Sequence, residues 1–487
     1  MLTETKMLTK QPPDKQGLFV QEKDLPFQIF CCLWAIATLF HMAHADLFTL
    51  RFHYVLLSLA AVYVIFKPSV GKLVLLITMQ LVDIIYTMPA TSNHWLFTAF
   101  VSITILQALL YLIIKNKSFK IKEDQLFETF APVVRIEVII LYFYAVFHKL
   151  NSGFFTPESS CATELLKAQH LDTIFSLSPE LFAANAYFTL LVEAIIPIFL
   201  CFKKTRNWGV LVGLIFHCLL AYNSHNAFYD FSSMVLAAYF LFISPTFGTH
   251  LLDMRSKMKH KASLVFSSGN IYRNLAQLIS LWLVGIAIIF VITKVLPQAA
   301  SYYLYIFWTG YSLLCIGIFV VFMLSGNRQK QTETESLSFS LPHPLFYVLP
   351  VLVFLNGLSP YIGLKTENSF AMFSNLRTEG GISNHYIIPA SFQIFNFQKD
   401  MVEIVSSSDR LLQGTAEKNK IMVYFAFKNY VAHVKPDRIE YIRNGKHHTF
   451  SLKETSPNDE LLVKDRILVK LLRFRNISKN DPQPCSH

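Results

Sequence analysis

The chain has 487 residues, 53% of them hydrophobic and only 15% charged, with a mean hydropathy of +0.40. Soluble domains carry about 25% charged residues, so this composition excludes a large soluble enzyme and points to a helical bundle in lipid. The net charge of +11 does not indicate nucleic-acid binding, because the basic residues sit in short runs between apolar segments rather than clustered on one soluble surface.

Residues 1–25 are polar, with Lys6, Lys10, Lys15 and Lys23, and no apolar core precedes a small-residue cleavage site. No cleavable signal peptide is expected. About eleven candidate membrane spans follow, at 26–47, 53–66, 71–89, 94–114, 131–150, 184–202, 208–222, 228–244, 272–293, 302–324 and 344–363. The second, seventh and eighth are short. With the N-terminus in the cytoplasm, the inner loops hold the N-terminal lysines, Lys67, Lys72, Lys115, Lys117, Lys120 and Lys122. They also hold Lys203, Lys204, Arg206, Arg255, Lys257, Lys259, Lys261, Arg273, Arg328 and Lys330, whereas the outer loops hold only Arg51, Lys167 and Lys294. That bias is the positive-inside rule, and it places everything after about residue 364 outside the cytoplasm, in a bacterial periplasmic or endoplasmic-reticulum lumenal setting.

The remaining chain divides at a polar linker, 331–341, and changes character beyond 364. Alternating stretches such as Ile421–Phe427, and Ile439–Ile442 followed by Asn444-Gly445, predict strands and a hairpin. The expected fold is therefore an all-α polytopic membrane bundle over 26–363, with a cytoplasmic segment at 1–25 and a small β-rich extramembrane domain over 365–487. Among the seven cysteines there is no CxxC pair, so neither a zinc site nor a thioredoxin-type redox pair is expected. Cys161 and Cys485 are the two that fall clearly outside. Free thiols are the default reading of that pair, and a disulfide is the alternative.

Ionisable residues within spans are functional candidates. Asp83, Arg135, Glu137, Glu193 and His217 lie inside spans, while His94 opens the fourth and His148 and Lys149 close the fifth. The topology brings His94, Lys149 and His217 toward the outer half. Each also has a plainer reading. Lys149 can snorkel to the headgroups, His94 can be interfacial beside Trp95, and His217 can be a packing histidine. Arg135 and Glu137 read as headgroup-level or paired structural charges, and Gly209 with Gly213 as a close helix contact. Glu193, mid-span, needs a partner or a proton. A lysine amine shielded from water can act as a base, which a solvated ammonium cannot.

The stretch Tyr142-Phe-Tyr-Ala-Val-Phe-His-Lys-Leu-Asn151 resembles the helix of vitamin K-dependent γ-glutamyl carboxylases that ends in Lys-Lys-Leu-Asp. Arg206-Asn-Trp-Gly209, Phe216-His217-Cys218 and Asn223-Ser224 resemble a later helix of that family, and Asn93-His94 its Asn-His pair. The shared unit looks like the horizontally transferred transmembrane domain, over about 25–325. The resemblance implies that Lys149 is the base that deprotonates a vitamin K-type hydroquinone, with dioxygen and carbon dioxide as co-substrates and a glutamate-containing peptide or protein as partner. It implies that His94 assists carboxylation, that His217, His148 and Glu193 belong to the quinone pocket, and that no metal is needed. Lipid and a lipid-soluble quinol are the implied partners.

Two departures stand out. The first lysine of the family's pair is His148 here, and the outer tail is much smaller than the region with which carboxylases capture a propeptide. Quinol epoxidation without carboxylation is therefore a second form of the same reading. The alternatives from other classes are a non-catalytic membrane binding or assembly protein and a DoxX-like quinone-handling oxidoreductase subunit.

Overall fold

The structure is a computed structural model that describes residues 24–44, 51–170, 178–223, 228–263, 300–326, 339–456, 459–480 and 482–485. It is mostly helical, with a small antiparallel sheet near the C-terminus. Helices occupy each predicted apolar segment within the described residues: α1 (Leu25–His44), α2 (Phe52–Ile65), α3 (Val70–Thr87), α4 (Asn93–Asn116), α5 (Glu123–Phe147), α7 (Pro179–Cys201), α8 (Arg206–Leu220), α9 (Tyr229–Phe240), then Ala300–Gly326 and Val348–Leu358. The predicted span 272–293 lies outside the described residues. Among the described residues, six helices are long and apolar enough to cross a membrane. Two further helices, α6 (Cys161–Lys167) and α10 (Thr246–Ser263), fall in stretches assigned to loops by hydropathy.

α9 has only 12 residues, and all of them except Phe231 are buried. An apolar helix buried on every side is an inner element, and α9 packs against α1, α4, α5 and α8. The Gly209/Gly213 pair serves two neighbours. A Cβ on Gly209 would meet Phe199 and Ile196 of α7, and one on Gly213 would collide with the Tyr239 ring of α9. The small residues thus let α8 sit between two helices, as small-residue spacing permits.

Beyond the bundle the chain forms a five-stranded antiparallel sheet in the order β4-β3-β1-β2-β5, with β1 Met401–Ser407, β2 Lys420–Val423, β3 Arg438–Arg443, β4 Lys446–Ser451 and β5 Ile477–Ser478. The predicted Asn444-Gly445 hairpin joins β3 to β4, with both turn residues at positive φ (51° and 73°), as a type I′ turn requires. The stretch Ile421–Phe427 corrects the strand prediction. The strand stops at Val423 and a helix runs over Tyr424–Val434, because Tyr424, Phe427 and Val431 recur at helical spacing and are all buried. With this helix and Arg410–Glu417 packed on the sheet, the domain is α+β rather than β-rich.

Between bundle and sheet, residues 365–400 hold little regular structure, yet many of them are buried. Side-chain amides stitch this segment onto the helix ends. Asn368 donates to the Pro89 carbonyl at 2.9 Å, Asn151 to Ser374 at 2.6 Å and Asn375 to Ser159 at 2.8 Å, while Asn93 accepts from the Phe370 N–H at 2.7 Å. Cys161 and Cys485 form a disulfide, which overturns the default of two free thiols. The sequence could not pair them, because the link spans 324 residues and depends on the tail folding back over α6.

Candidate functional site

α4, α5, α7, α8 and α9 converge at the end where the 365–378 segment covers them. They enclose a cavity of about 310 Å³ whose walls include Leu141, Phe188, Phe216, Phe228, Phe370 and Phe373. Phe370 and Phe373 both sit at positive φ (63° and 55°). That conformation is rare for bulky side chains and is held here by the hydrogen bonds just described. The same cavity is lined by His94, Lys149, Glu193 and His217. Four of the five sequence-derived site residues are thus brought to one place.

Lys149 follows the last turn of α5, and its side chain bends back into the protein. Its Nζ donates to the Ala145 carbonyl at 3.0 Å and to Glu193 Oε2 at 2.6 Å, and both side chains are largely buried (7% and 13% exposed). This geometry answers the snorkelling alternative: the ammonium faces inward to a carboxylate, not outward to headgroups. It also supplies the partner that mid-span Glu193 required. Buried ionisable groups need a partner and hydrogen bonds, which the backbone carbonyl and the carboxylate provide.

His217 Nε2 lies 2.6 Å from the Tyr142 hydroxyl, which in turn contacts the Tyr239 hydroxyl. Its Nδ1 is buried and has no hydrogen-bond partner among the described residues. Within the wall of a cavity, such an atom is free to bind a polar group of a ligand. His94 also borders the cavity, but its Nε2 is turned toward Asp230 (3.0 Å), Ser92 (3.2 Å) and His41 (3.3 Å).

His148 is the residue that the structure separates from the others. Successive helical residues point about 100° apart, so when Lys149 faces the cavity, His148 faces the covering segment. It is fully buried, with Nδ1 2.8 Å from the Tyr361 hydroxyl and Nε2 3.0 Å from the Ser369 carbonyl. A carbonyl only accepts, so Nε2 carries the proton and Nδ1 accepts from Tyr361. His148 fastens the end of α5 to the outer segment and does not line the cavity, contrary to its expected place in the quinone pocket.

The other in-span charges are held structurally. Arg135 Nε donates to the Leu241 carbonyl at 2.6 Å, Glu137 accepts from the Thr104 hydroxyl at 2.6 Å, and Asp83 accepts from Trp95 Nε1 at 2.8 Å. Two polar residues of the site escaped sequence reasoning. Tyr142 reads as an ordinary aromatic core residue. Asp230, however, lies inside the predicted span 228–244, and an in-span carboxylate is the same signal that singled out Glu193. Compared with protein-family models, curated proteins and solved structures, the chain gives no match.

Proposed function

We propose that the protein is a multi-pass membrane enzyme that binds a reduced naphthoquinone of the vitamin K type in the apolar cavity and oxygenates it, with Lys149 as base. The observation that carries this reading is the Lys149–Glu193 pair opening onto an apolar cavity. Transfer of the shared proton from Nζ to the Glu193 carboxylate leaves a neutral amine beside the ligand. That amine takes the hydroquinone O–H proton, and the His217 Nδ1 without a partner provides a hydrogen-bonding site for the ligand's polar edge. The resulting quinolate adds dioxygen. Overall, one quinol and one dioxygen give one quinone epoxide and one water: dioxygen takes four electrons, two from oxidation of the quinol to the quinone and two from epoxidation of its ring double bond. Coupled carboxylation would use the strong base formed on the way to the epoxide to remove a glutamyl γ-proton before carbon dioxide adds.

The reading includes about eleven spans, a cytoplasmic N-terminus and an extracytoplasmic or lumenal C-terminal domain. The asymmetry of loop charge supports the orientation. The Cys161–Cys485 disulfide supports it independently, since disulfides persist on the oxidising side of a membrane.

The test is epoxide formation by the purified chain in nanodiscs, given vitamin K hydroquinone and oxygen, for wild type and Lys149→Ala. The expected result is epoxide from wild type and a loss of roughly 10²–10⁴-fold in the variant, the usual contribution of a positioned base. Equal yields would remove Lys149 from the mechanism. No epoxide from either protein would overturn the oxygenase reading in favour of a binding or assembly role.

A further inference from the structure

A second cavity, of about 500 Å³, adjoins the first and shares Asn93, His94, Phe228, Phe231, Met372 and Phe373 with it. Its lining is more polar and includes His41, Asp230, Glu367 and Arg473. In its wall, three helix ends bring three metal-ligating side chains together. His41 comes from the last turn of α1, His94 from the first turn of α4 and Asp230 from the first turn of α9. Asp230 Oδ2 is 3.0 Å from His94 Nε2 and 3.5 Å from His41 Nδ1, and the two ring nitrogens are 3.3 Å apart.

We propose that His41, His94 and Asp230 form a binding site for a divalent transition-metal ion of the zinc type. The first argument is distance. Ligand atoms on a tetrahedral ion with bonds of about 2.0–2.1 Å lie roughly 3.3 Å from one another, and the three observed edges bracket that value. The second is hydrogen-bond arithmetic. His94 Nε2 has three polar neighbours, Asp230, His41 and Ser92, yet one ring nitrogen offers either a single N–H or a single lone pair. A cation at the centre satisfies two ring nitrogens and the carboxylate at once, which a single proton cannot.

The third argument is that the ligands are held from outside. The Phe231 N–H donates to Asp230 Oδ1 at 2.6 Å and so aims Oδ2 at the histidines. The His41 ring stacks on Trp95, with centroids 3.8 Å apart and planes 19° apart, and Trp95 is itself fixed by its bond to Asp83. Such outer contacts are what orient ligands in metal sites. The three side chains also border a void of about 10 Å³, the room of about one water. Two histidines and a carboxylate with one open, water-sized position is the ligand pattern of catalytic zinc sites. The larger polar cavity provides access. This departs from the expectation that no metal is needed, and it rests on the second cavity rather than on the quinol reading.

The experiment loads the full-length protein in detergent with Zn²⁺ after stripping with a chelator, desalts it, and counts metal by mass spectrometry. Wild type and Lys149→Ala are expected to keep one zinc per chain, and His41→Ala and Asp230→Asn to lose at least ten-fold in occupancy. Zinc X-ray absorption on wild type, which needs no variant to fold, is expected to show a nitrogen and oxygen shell with imidazole scattering. Wild type that retains no zinc, zinc retained equally by His41→Ala and Asp230→Asn, or a sulfur-containing shell would each overturn the site. None of these readouts depends on quinol turnover.

Discussion

Lys149–Glu193 in the bundle and Arg475–Glu379 in the outer domain are both buried ion pairs, at 2.6 and 2.9 Å, and they are built for different ends. Arg475 ties the last part of the chain to the covering segment, and Glu379 also accepts from the Thr378 N–H. Every oxygen is occupied, no cavity adjoins the pair among those described, and a guanidinium does not release its proton in proteins. The bundle pair instead joins an amine to a carboxylate beside an apolar cavity. Burial alone does not mark a functional charge. Its chemistry and what it faces decide.

The largest expected break in that comparison is kinetic: Lys149→Ala loses about 10²–10⁴-fold in epoxide formation, whereas Arg475→Met leaves it within a few-fold once folded protein is selected. Stability should respond in the opposite sense. Arg475→Met strands Glu379 in the interior and should cost about 3–5 kcal/mol in thermal or chemical unfolding of the outer domain. Next comes Cys485→Ser, which releases the tail from α6 and should cost up to about 2–4 kcal/mol. Mass mapping after alkylation should find Cys161 blocked in wild type and free in the variant, while Cys31, Cys32, Cys201, Cys218 and Cys315 are unpaired in both.

The smallest effect concerns Lys365, where burial lowers the ammonium to about 8. Its folded value lies below its unfolded value, so the folded state sheds the proton first as pH rises. Below about pH 8 both states are charged and the cost of burial is complete. From there to about pH 10.4 the unfolded chain binds more protons, and wild-type stability rises. Lys365→Met should therefore be about 1–2 kcal/mol more stable than wild type at pH 7, with the gap closing through pH 8–10. Denaturant titrations across that range measure it.

Much of this was legible in the sequence. Apolar runs located the helices, because lipid and bundle interiors select the same composition, and an in-span charge needs a reason. That rule found Glu193 and His217 inside spans and His94 and Lys149 at span ends. What the sequence did not carry was direction. His148 and Lys149 are adjacent, and only the helix phase decides which one faces the cavity. The His41–His94–Asp230 cluster and the Cys161–Cys485 bond join residues from distant segments, and no local spacing encodes them. The strand misread at Ile421–Phe427 has the same origin, since a short apolar run fits both periods until its partners are known.

The proposed function requires that the apolar cavity beside Lys149 receive a quinol. It is tested most directly by naphthoquinone binding to nanodisc-embedded wild type, Lys149→Ala and Ala145→Trp, followed by titration calorimetry. Ala145 lines the cavity one turn before Lys149, so the indole fills the space while the Lys149–Glu193 pair keeps its charges. Binding is expected for wild type and Lys149→Ala, and its loss for Ala145→Trp. Undiminished binding by correctly folded Ala145→Trp would contradict it.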